Sequence, residues 1–494
     1  MAVLVHLKWL YQELGLHSLY DTGIDAWLII AARCCRMIAF GTNSLILALF
    51  FSTLNFSDTY IGIFMTLTLL GDVLLSLLLT VTADRVGRRR VLLGGSALMV
   101  ISGTVFAIFE NYWILLAAAI VGVISATGSD FGPFRAIEES ILSTLTGPKT
   151  RPDVLAWYVT TATLGQSIGT EASGRIVHFL QGLEGWTLKD AYHAVFWMYS
   201  AVGLLNIVFM LLLSDKCEVQ KTPDTEEAEV LLDEEREGSQ ETEERDPRSF
   251  DQPQPAVESE KKPSLFSQIS RDSRSAMYKL WFLLIIDSLA DGMVPYSLTT
   301  YYMDSKFHLP KSTLGDITSI SYFLSFISTL FAAPLCRRLG LVNTMVFTHL
   351  PSSAAVLLFP FPSGIILTVI LLMLRTGLNN MDQAPRSALI AAVVRPEERT
   401  AIMGITSMLR TLASTAGPTL TGILAGQNRF WIAFVAAGAL RIAYDLGLWA
   451  MFINMKLHQH EKEGEGGGDI VRGSGDARRE SDEEEAELRD IQSP

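Results

Sequence analysis

Charge is scarce in this chain of 494 residues: Asp, Glu, Lys and Arg together make up 18%, against 49% hydrophobic residues. The mean hydropathy is +0.31. So little charge cannot cover a soluble protein of this size, and much of it is confined to two acidic stretches, 224–260 and 461–490. The formal net charge of -13 resides largely there, and no basic face for nucleic acid remains. Cysteine is equally sparse. Cys34, Cys35, Cys217 and Cys336 show no paired metal-ligand spacing, which argues against a disulfide framework and a metal site. The eight histidines are scattered, and no nucleophile motif stands in the apolar stretches, so neither an enzyme activity nor a cofactor is expected. A compact signal-peptide core is missing too, because residues 1–25 mix Lys8, Glu13, Asp21 and Asp25 with scattered aromatics. The first crossing of a membrane is then expected to act as the internal signal.

What the chain does have is a succession of long apolar stretches separated by short polar breaks. Twelve can be delimited: 37–54, 60–82, 91–109, 112–132, 154–180, 191–213, 278–302, 313–335, 341–360, 364–390, 400–425 and 430–454. Hydrocarbon demands about 20 apolar residues per helical crossing, so these predict an all-α integral membrane protein of twelve transmembrane helices. The breaks after the second, fourth, eighth and tenth stretches carry Arg85, Arg88, Arg89, Arg90, Lys149, Arg151, Arg337, Arg338, Arg395 and Arg399. Those on the other side carry only Lys189, Lys306, Lys311 and Arg429. The richer side is expected to be cytosolic, together with both termini.

The expected organisation is a cytosolic N-terminal segment (1–32), a six-helix bundle (33–213), an acidic linker (214–276), a second six-helix bundle (277–455) and an acidic tail (456–494). Linker and tail hold dense charge and few aromatics, so they cannot bury enough apolar area to offset chain entropy and are expected to be disordered. An internal repeat supports the division. The fourth stretch continues G-P-F-R-A-I-E-E-S and the tenth Q-A-P-R-S-A-L-I, which puts Arg135 and Arg386 in matching places, each followed by a polar break and a glycine-rich stretch. Two parallel repeats of six spans point to a transporter whose halves rock about a central site.

Residues 80–90 read T-V-T-A-D-R-V-G-R-R-R, a basic, glycine-turned hinge between two apolar spans. With Gly71 upstream, Asp84, Arg85, Gly87, Arg88 and Arg89 form a pattern that resembles the loop motif between helices two and three of the major facilitator superfamily. Thr80 stands where that motif usually has its second glycine. The resemblance covers roughly 33–213 and 277–452 and is closest to a broad group of facilitators in fungi and bacteria. It implies two pseudo-symmetric six-helix bundles, alternating access, and a gating role for the motif in which Asp84 latches the outward-open state against the eleventh helix. Read without the resemblance, Asp84 at a helix end can accept from exposed amides of a neighbouring helix. Gly87 permits the turn, and the arginines meet acidic groups or lipid phosphate, or do no more than set topology.

Charges inside the spans are expensive and mark a cavity or a partner. Arg135 and Glu139, four residues apart, share a helix face, as do Asp382 and Arg386; the two arginines are candidates for bracketing an anion, with Tyr296 as a further substrate contact. The alternative is that the Arg135 stretch has already reached the aqueous interface. Asp287, Asp291, Glu171 and Glu139 are the proton-coupling candidates, since a carboxylate in low dielectric loads a proton readily. Gly292 and Pro295 should interrupt the seventh helix just after Asp291. Arg410, and Arg441 with Asp445, read as interhelical structural pairs, and Arg33 and Arg36 as residues snorkelling to the cytosolic face.

The function expected from these readings is secondary active transport of a small polar or anionic metabolite, coupled to protons, by a monomer in the plasma or vacuolar membrane. Two alternatives stand beside it. One is a drug or toxicant efflux antiporter, against which the fifth span lacks the usual glycine-proline motif. The other is a non-transporting nutrient sensor of the same fold.

Overall fold

A chain crossing hydrocarbon must satisfy its own backbone N–H and C=O groups, and each apolar run here does so as a helix. The computed structural model describes residues 16–122, 124, 133–147, 150–218, 271–383, 385, 386, 389, 390 and 399–452. In the first half these form α1 (Leu16–Asp21), α2 (Ile24–Thr53), α3 (Asp58–Val86), α4 (Arg88–Ile108), α5 (Tyr112–Gly122), α6 (Pro133–Leu145), α7 (Arg151–Gln181) and α8 (Leu188–Leu212). In the second they form α9 (Arg271–Met293), α10 (Tyr296–Phe307), α11 (Lys311–Leu339), α12 (Leu341–Leu358), α13 (Ile365–Asn379), α14 (Arg399–Gly426) and α15 (Phe430–Phe452). No strand occurs among the described residues.

Helix α5 lies in the fourth span and α6 follows beyond residue 132, while α9 and α10 occupy the seventh, whose break falls at Val294 and Pro295, just after Gly292. Most of the expected linker and tail lies outside the described residues. The first long helix starts at Ile24, ahead of the apolar stretch that begins at residue 37. It extends because its polar residues find partners. Asp25 accepts from the amide and hydroxyl of Ser214 at 2.9 and 2.5 Å, and the Arg33 guanidinium lies 3.9 Å from the centre of the Tyr158 ring.

The packing is the same in both halves when each helix is advanced by six spans. The pairing of α2 with α7 is repeated by α9 with α14, α4 with α8 by α12 with α15, α2 with α8 by α9 with α15, and α3 with α5 by α11 with α13. Across the halves, α7 against α11 is matched by α14 against α3. Two pseudo-equivalent six-helix bundles therefore meet along two equivalent seams. Lipid offers no hydrophobic drive between helices, so seams depend on small residues that let backbones approach. Gly174 of α7 faces Gly315 of α11, and Gly62 of α3 faces Gly422 of α14; a Cβ on Gly62 would lie 2.4 Å from the Pro418 carbonyl oxygen.

Seven helices among the described residues are long and apolar enough to cross a membrane: α2, the first part of α3, α4, α8, α11, α12 and α15. The long helices α7 and α14 fall outside that set because the seams they form are lined with glycine and hydroxyl side chains, which protein neighbours satisfy.

Hydrogen bonds reinforce the seams. Thr66 donates to the Thr415 carbonyl at 2.7 Å and accepts from the Thr419 hydroxyl at 2.7 Å. Ser167 donates to the Ser319 carbonyl at 2.9 Å, Tyr301 to Asp58 at 2.6 Å, and Arg175 to Asp316 at 2.7 Å. All of these lie in the half of the molecule remote from the arginine-rich breaks.

Candidate functional site

The loop motif is built from backbone as much as from side chains. Gly87 adopts φ +104, a left-handed conformation costly for any other residue, and this turns the chain from α3 into α4. The first amides of α4 are left without helical acceptors. Glu218, just past the last span of the first bundle, takes them: its carboxylate accepts from the amides of Arg88 at 2.7 Å and Arg89 at 3.2 Å. The Arg89 side chain pairs with Asp215, and Arg88 reaches the Thr144 hydroxyl at 3.4 Å. Gly71 lies close against Ile120 of α5, where a Cβ would sit 2.7 Å from Cγ2. The side chains of Asp84 and Arg85 lie outside the described residues.

The first bundle buries a compact polar group. Arg36 on α2 is fully buried and donates to Glu138 on α6 at 2.6 Å, and the Tyr158 hydroxyl donates to the same carboxylate oxygen at 2.7 Å. The Arg36 guanidinium also lies 4.1 Å from the centre of the Phe134 ring. The reading of Arg33 and Arg36 as snorkelling residues is therefore overturned: both are buried, because a carboxylate and aromatic faces neutralise them where they stand. Asp72 on α3 is buried as well, and its Oδ1 accepts no hydrogen bond among the described residues. The neighbours Arg135 and Glu139 face another way. They pair with each other at 2.8 Å with side chains 42% and 38% exposed.

The second bundle holds a much larger network. On α9, Asp287 is fully buried and Asp291 is the partly exposed member. Arg386 pairs with Asp382, one helical turn away, and approaches Asp287 at 3.5 Å. Arg441 on α15 pairs with Asp291 at 3.1 Å, donates to Asn379, and lies 2.6 Å from Nε2 of His349 on α12. The other ring nitrogen of His349 meets Asp445 at 2.7 Å, and Ser353 donates to that carboxylate at 2.7 Å. Arg410 donates to Ser288 at 3.2 Å. Arg375 fixes the break between α9 and α10, donating to the Val294 carbonyl and to Thr299 at 2.8 Å while facing the Tyr296 ring at 5.3 Å. Among the described residues, four aspartates (Asp287, Asp291, Asp382, Asp445) thus stand beside four arginines (Arg375, Arg386, Arg410, Arg441) and His349.

The structure therefore brings Asp287, Asp291, Asp382 and Arg386 into one network and sets Tyr296 at its rim. It places Glu171 elsewhere, 2.8 Å from Arg175 in the exposed seam cluster with Asp316. Sequence reasoning passed over His349, Arg375 and Asp72. A single polar residue in an apolar run has no spacing signal, and the only available clue was its cost in a membrane.

Among the described residues, no group of three or more His, Cys, Asp or Glu is arranged to hold a metal ion. The cysteines are free, and burial pushes the Cys217 thiol, beside the loop motif, up to about 12.

Comparison with known proteins agrees with this architecture. An uncharacterized membrane protein of Saccharomyces cerevisiae is 32% identical over 439 residues, which are 87% of this chain and 94% of that protein. Among solved structures, the xylose transporter XylE from E. coli in an inward open conformation superposes with a TM-score of 0.62 at 14% identity, over 86% of this chain and 96% of that one. The nucleoside transporter NupG gives 0.59 at 15% identity, over 88% and 100%. A bacterial homolog of the human lysosomal transporter Spinster, inward-facing and occupied, gives 0.61 at 12% identity, over 87% and 96%. At such identities these likenesses speak for the fold alone. The sequence profile of the Major Facilitator Superfamily matches residues 29–277 and 280–484, and with the gating-loop pattern, the paired bundles and the duplicated seams it leads to one conclusion: the chain is an integral membrane protein that belongs to the Major Facilitator Superfamily.

Proposed function

We propose that this protein is a secondary active transporter that carries a small polar or anionic solute by rocking its two bundles, driven by protons. The observation that carries the reading is the charged network of the second bundle, buried at Asp287 and partly exposed at Asp291. Charges in hydrocarbon are kept where they bind or move other charges. Arg386 and Arg441 are suited to the oxyanion of a solute, since guanidinium binds carboxylate and phosphate in a two-pronged fashion. Polar cargo also fits the company of the fold, which includes transporters of xylose and nucleosides.

The seams supply the moving part. Paired glycines and hydroxyls close the end remote from the arginine-rich breaks. By the positive-inside rule that end is outside, both termini are cytosolic, and the arrangement is the inward-facing member of the cycle. In this reading the loop motif gates the opposite end, with Asp84 engaging α14 when that end closes. The setting is a plasma or vacuolar membrane, and the working unit is a monomer.

The test is flux in reconstituted vesicles under an imposed proton gradient, screened across organic anions, phosphate, nucleosides and sugars. Uptake of a solute with an accompanying proton current is expected, and Asp291→Asn should impair driven uptake more than exchange. Solute movement without proton current at several pH values contradicts coupling; equal loss of uptake and exchange contradicts the role of Asp291. An absence of any flux above leak returns the sensor alternative, and export of hydrophobic cations the efflux one.

A further inference from the structure

The hydrogen-bond partners of His349 fix where its proton sits. Arg441 has donors and no acceptor, so the 2.6 Å approach of its Nη2 to Nε2 requires a lone pair on that ring nitrogen. A neutral imidazole carries one N–H, which must then be on Nδ1, donated to Asp445 at 2.7 Å. The ring is neutral in this state, and Arg441 holds it so. A second observation concerns the same nitrogen. Asp287 Oδ1 lies 3.8 Å from Nε2, and neither oxygen of this fully buried carboxylate accepts a hydrogen bond among the described residues. An acceptor is therefore in place for an Nε2–H bond that the present position of Arg441 forbids.

We propose that His349 is the residue that takes up the driving proton, and that Arg441 and the proton compete for Nε2. When the proton binds, Nε2–H turns to Asp287, and Arg441 swings off the ring toward Asp291, the partly exposed side of the network where its second nitrogen already pairs at 3.1 Å. One proton is bound, no covalent bond other than N–H forms, and a guanidinium is delivered to the partly exposed face. Arg441 is thus a positioning residue whose location reports the charge on His349.

The charged and titratable groups facing the ring are Asp287 from α9, and Arg441, Tyr444 and Asp445 from α15. Arg386, paired with Asp382, approaches through Asp287, and Arg410 of α14 donates to Ser288 beside it. The inference rests on the transporter reading above for its meaning, but its test needs no solute.

The wild-type full chain in phosphatidylcholine nanodiscs can be followed by deuterium exchange at the C2 position of histidine, read peptide by peptide across pH. The exchange rate at His349 is expected to change with pH in a single step. Arg441→Gln should bind the proton at least tenfold more tightly, and Asp287→Asn at least tenfold more weakly. A His349 exchange rate that does not depend on pH overturns the proposal without any substitution. So do folded variants that leave the proton affinity unchanged or move it in the same sense. A His349 that titrates as expected in a protein without proton-driven flux would sink the transport reading and leave the competition at Nε2 standing; driven flux with a silent His349 would do the reverse.

Discussion

The two bundles have the same helices in the same packing, yet they treat charge in opposite ways. The first encloses one compact group, Arg36 with Glu138 and Tyr158, and turns Arg135 and Glu139 toward its surface. The second gathers aspartates, arginines and a histidine from α9, α12, α13 and α15 into a network with a partly exposed edge. Arg135 and Arg386 occupy matching places in the repeat, and only Arg386 is buried within such a network. Duplication fixed the scaffold. The chemistry was then divided unequally, with a buried arginine–glutamate pair in the first bundle and, in the second, a network of aspartates, arginines and a histidine.

The largest expected effect tests that division. Glu138→Ala removes the buried carboxylate that Arg36 and Tyr158 share and should cost about 3–5 kcal/mol in unfolding measurements on the purified protein. Asp382→Ala should cost clearly less, because Arg386 still has Asp287 at 3.5 Å. Equal losses would mean that the second network is as rigid as the first. The half-exposed neighbour offers a control, since Glu139→Ala should cost less than about 1 kcal/mol.

The next effect asks whether the seams are as equivalent as the packing. Gly62→Val forces a side chain against the Pro418 carbonyl and Gly422, and Gly315→Val does the same against Gly174. Each should cost about 1–3 kcal/mol in the closed-seam state, opening that end by roughly fivefold to a hundredfold in population. Spin-label distances across the seam would read it. Gly94→Ala, which meets nothing within 4 Å, should leave the distances unchanged. A response from one seam alone would break the symmetry.

Smaller changes probe the ends. Glu218→Ala removes the carboxylate from the first amides of α4 and should destabilise the first bundle by about 1 kcal/mol, detected as faster amide exchange in the first turn of α4. The smallest effect lies at Glu110, between α4 and α5, where the hydrogen bond and charge of Lys189 at 2.8 Å hold the carboxyl below the usual carboxylate range. A depressed folded-state value adds stability that is present above the unfolded value and lost as pH falls through the folded one. Lys189→Ala should therefore lower the melting temperature slightly near neutral pH, and the difference from wild type should vanish in strong acid. A difference that persists in acid would contradict the ion-pair account.

How much of this could be read beforehand depended on whether the cause was local. The break of the seventh span was legible because Gly292 and Pro295 are a local signal, and so was the turn at Gly87. The pairing of Arg135 with Glu139 followed from spacing along one helix. The burial of Arg36 did not, because the carboxylate that neutralises it stands 102 residues away. Glu171 and Arg175 were legible as a pair, whereas their attachment to Asp316 across the seam was not. His349 carried no pattern at all until α15 brought Arg441 and Asp445 to its two nitrogens.

The amino-acid sequence by itself determined the apolar runs, their duplication, the arginine-rich breaks between them and the glycine turn at Gly87. Each of these follows from the local cost of placing a charge, a glycine or a proline in a helix within hydrocarbon. Tertiary structure decided which charges neutralise one another, where glycines of the two halves meet and which groups face the two nitrogens of His349. Those outcomes depend on groups far apart in the chain that meet within a few ångströms in a medium where electrostatic interactions are strong and partners are few.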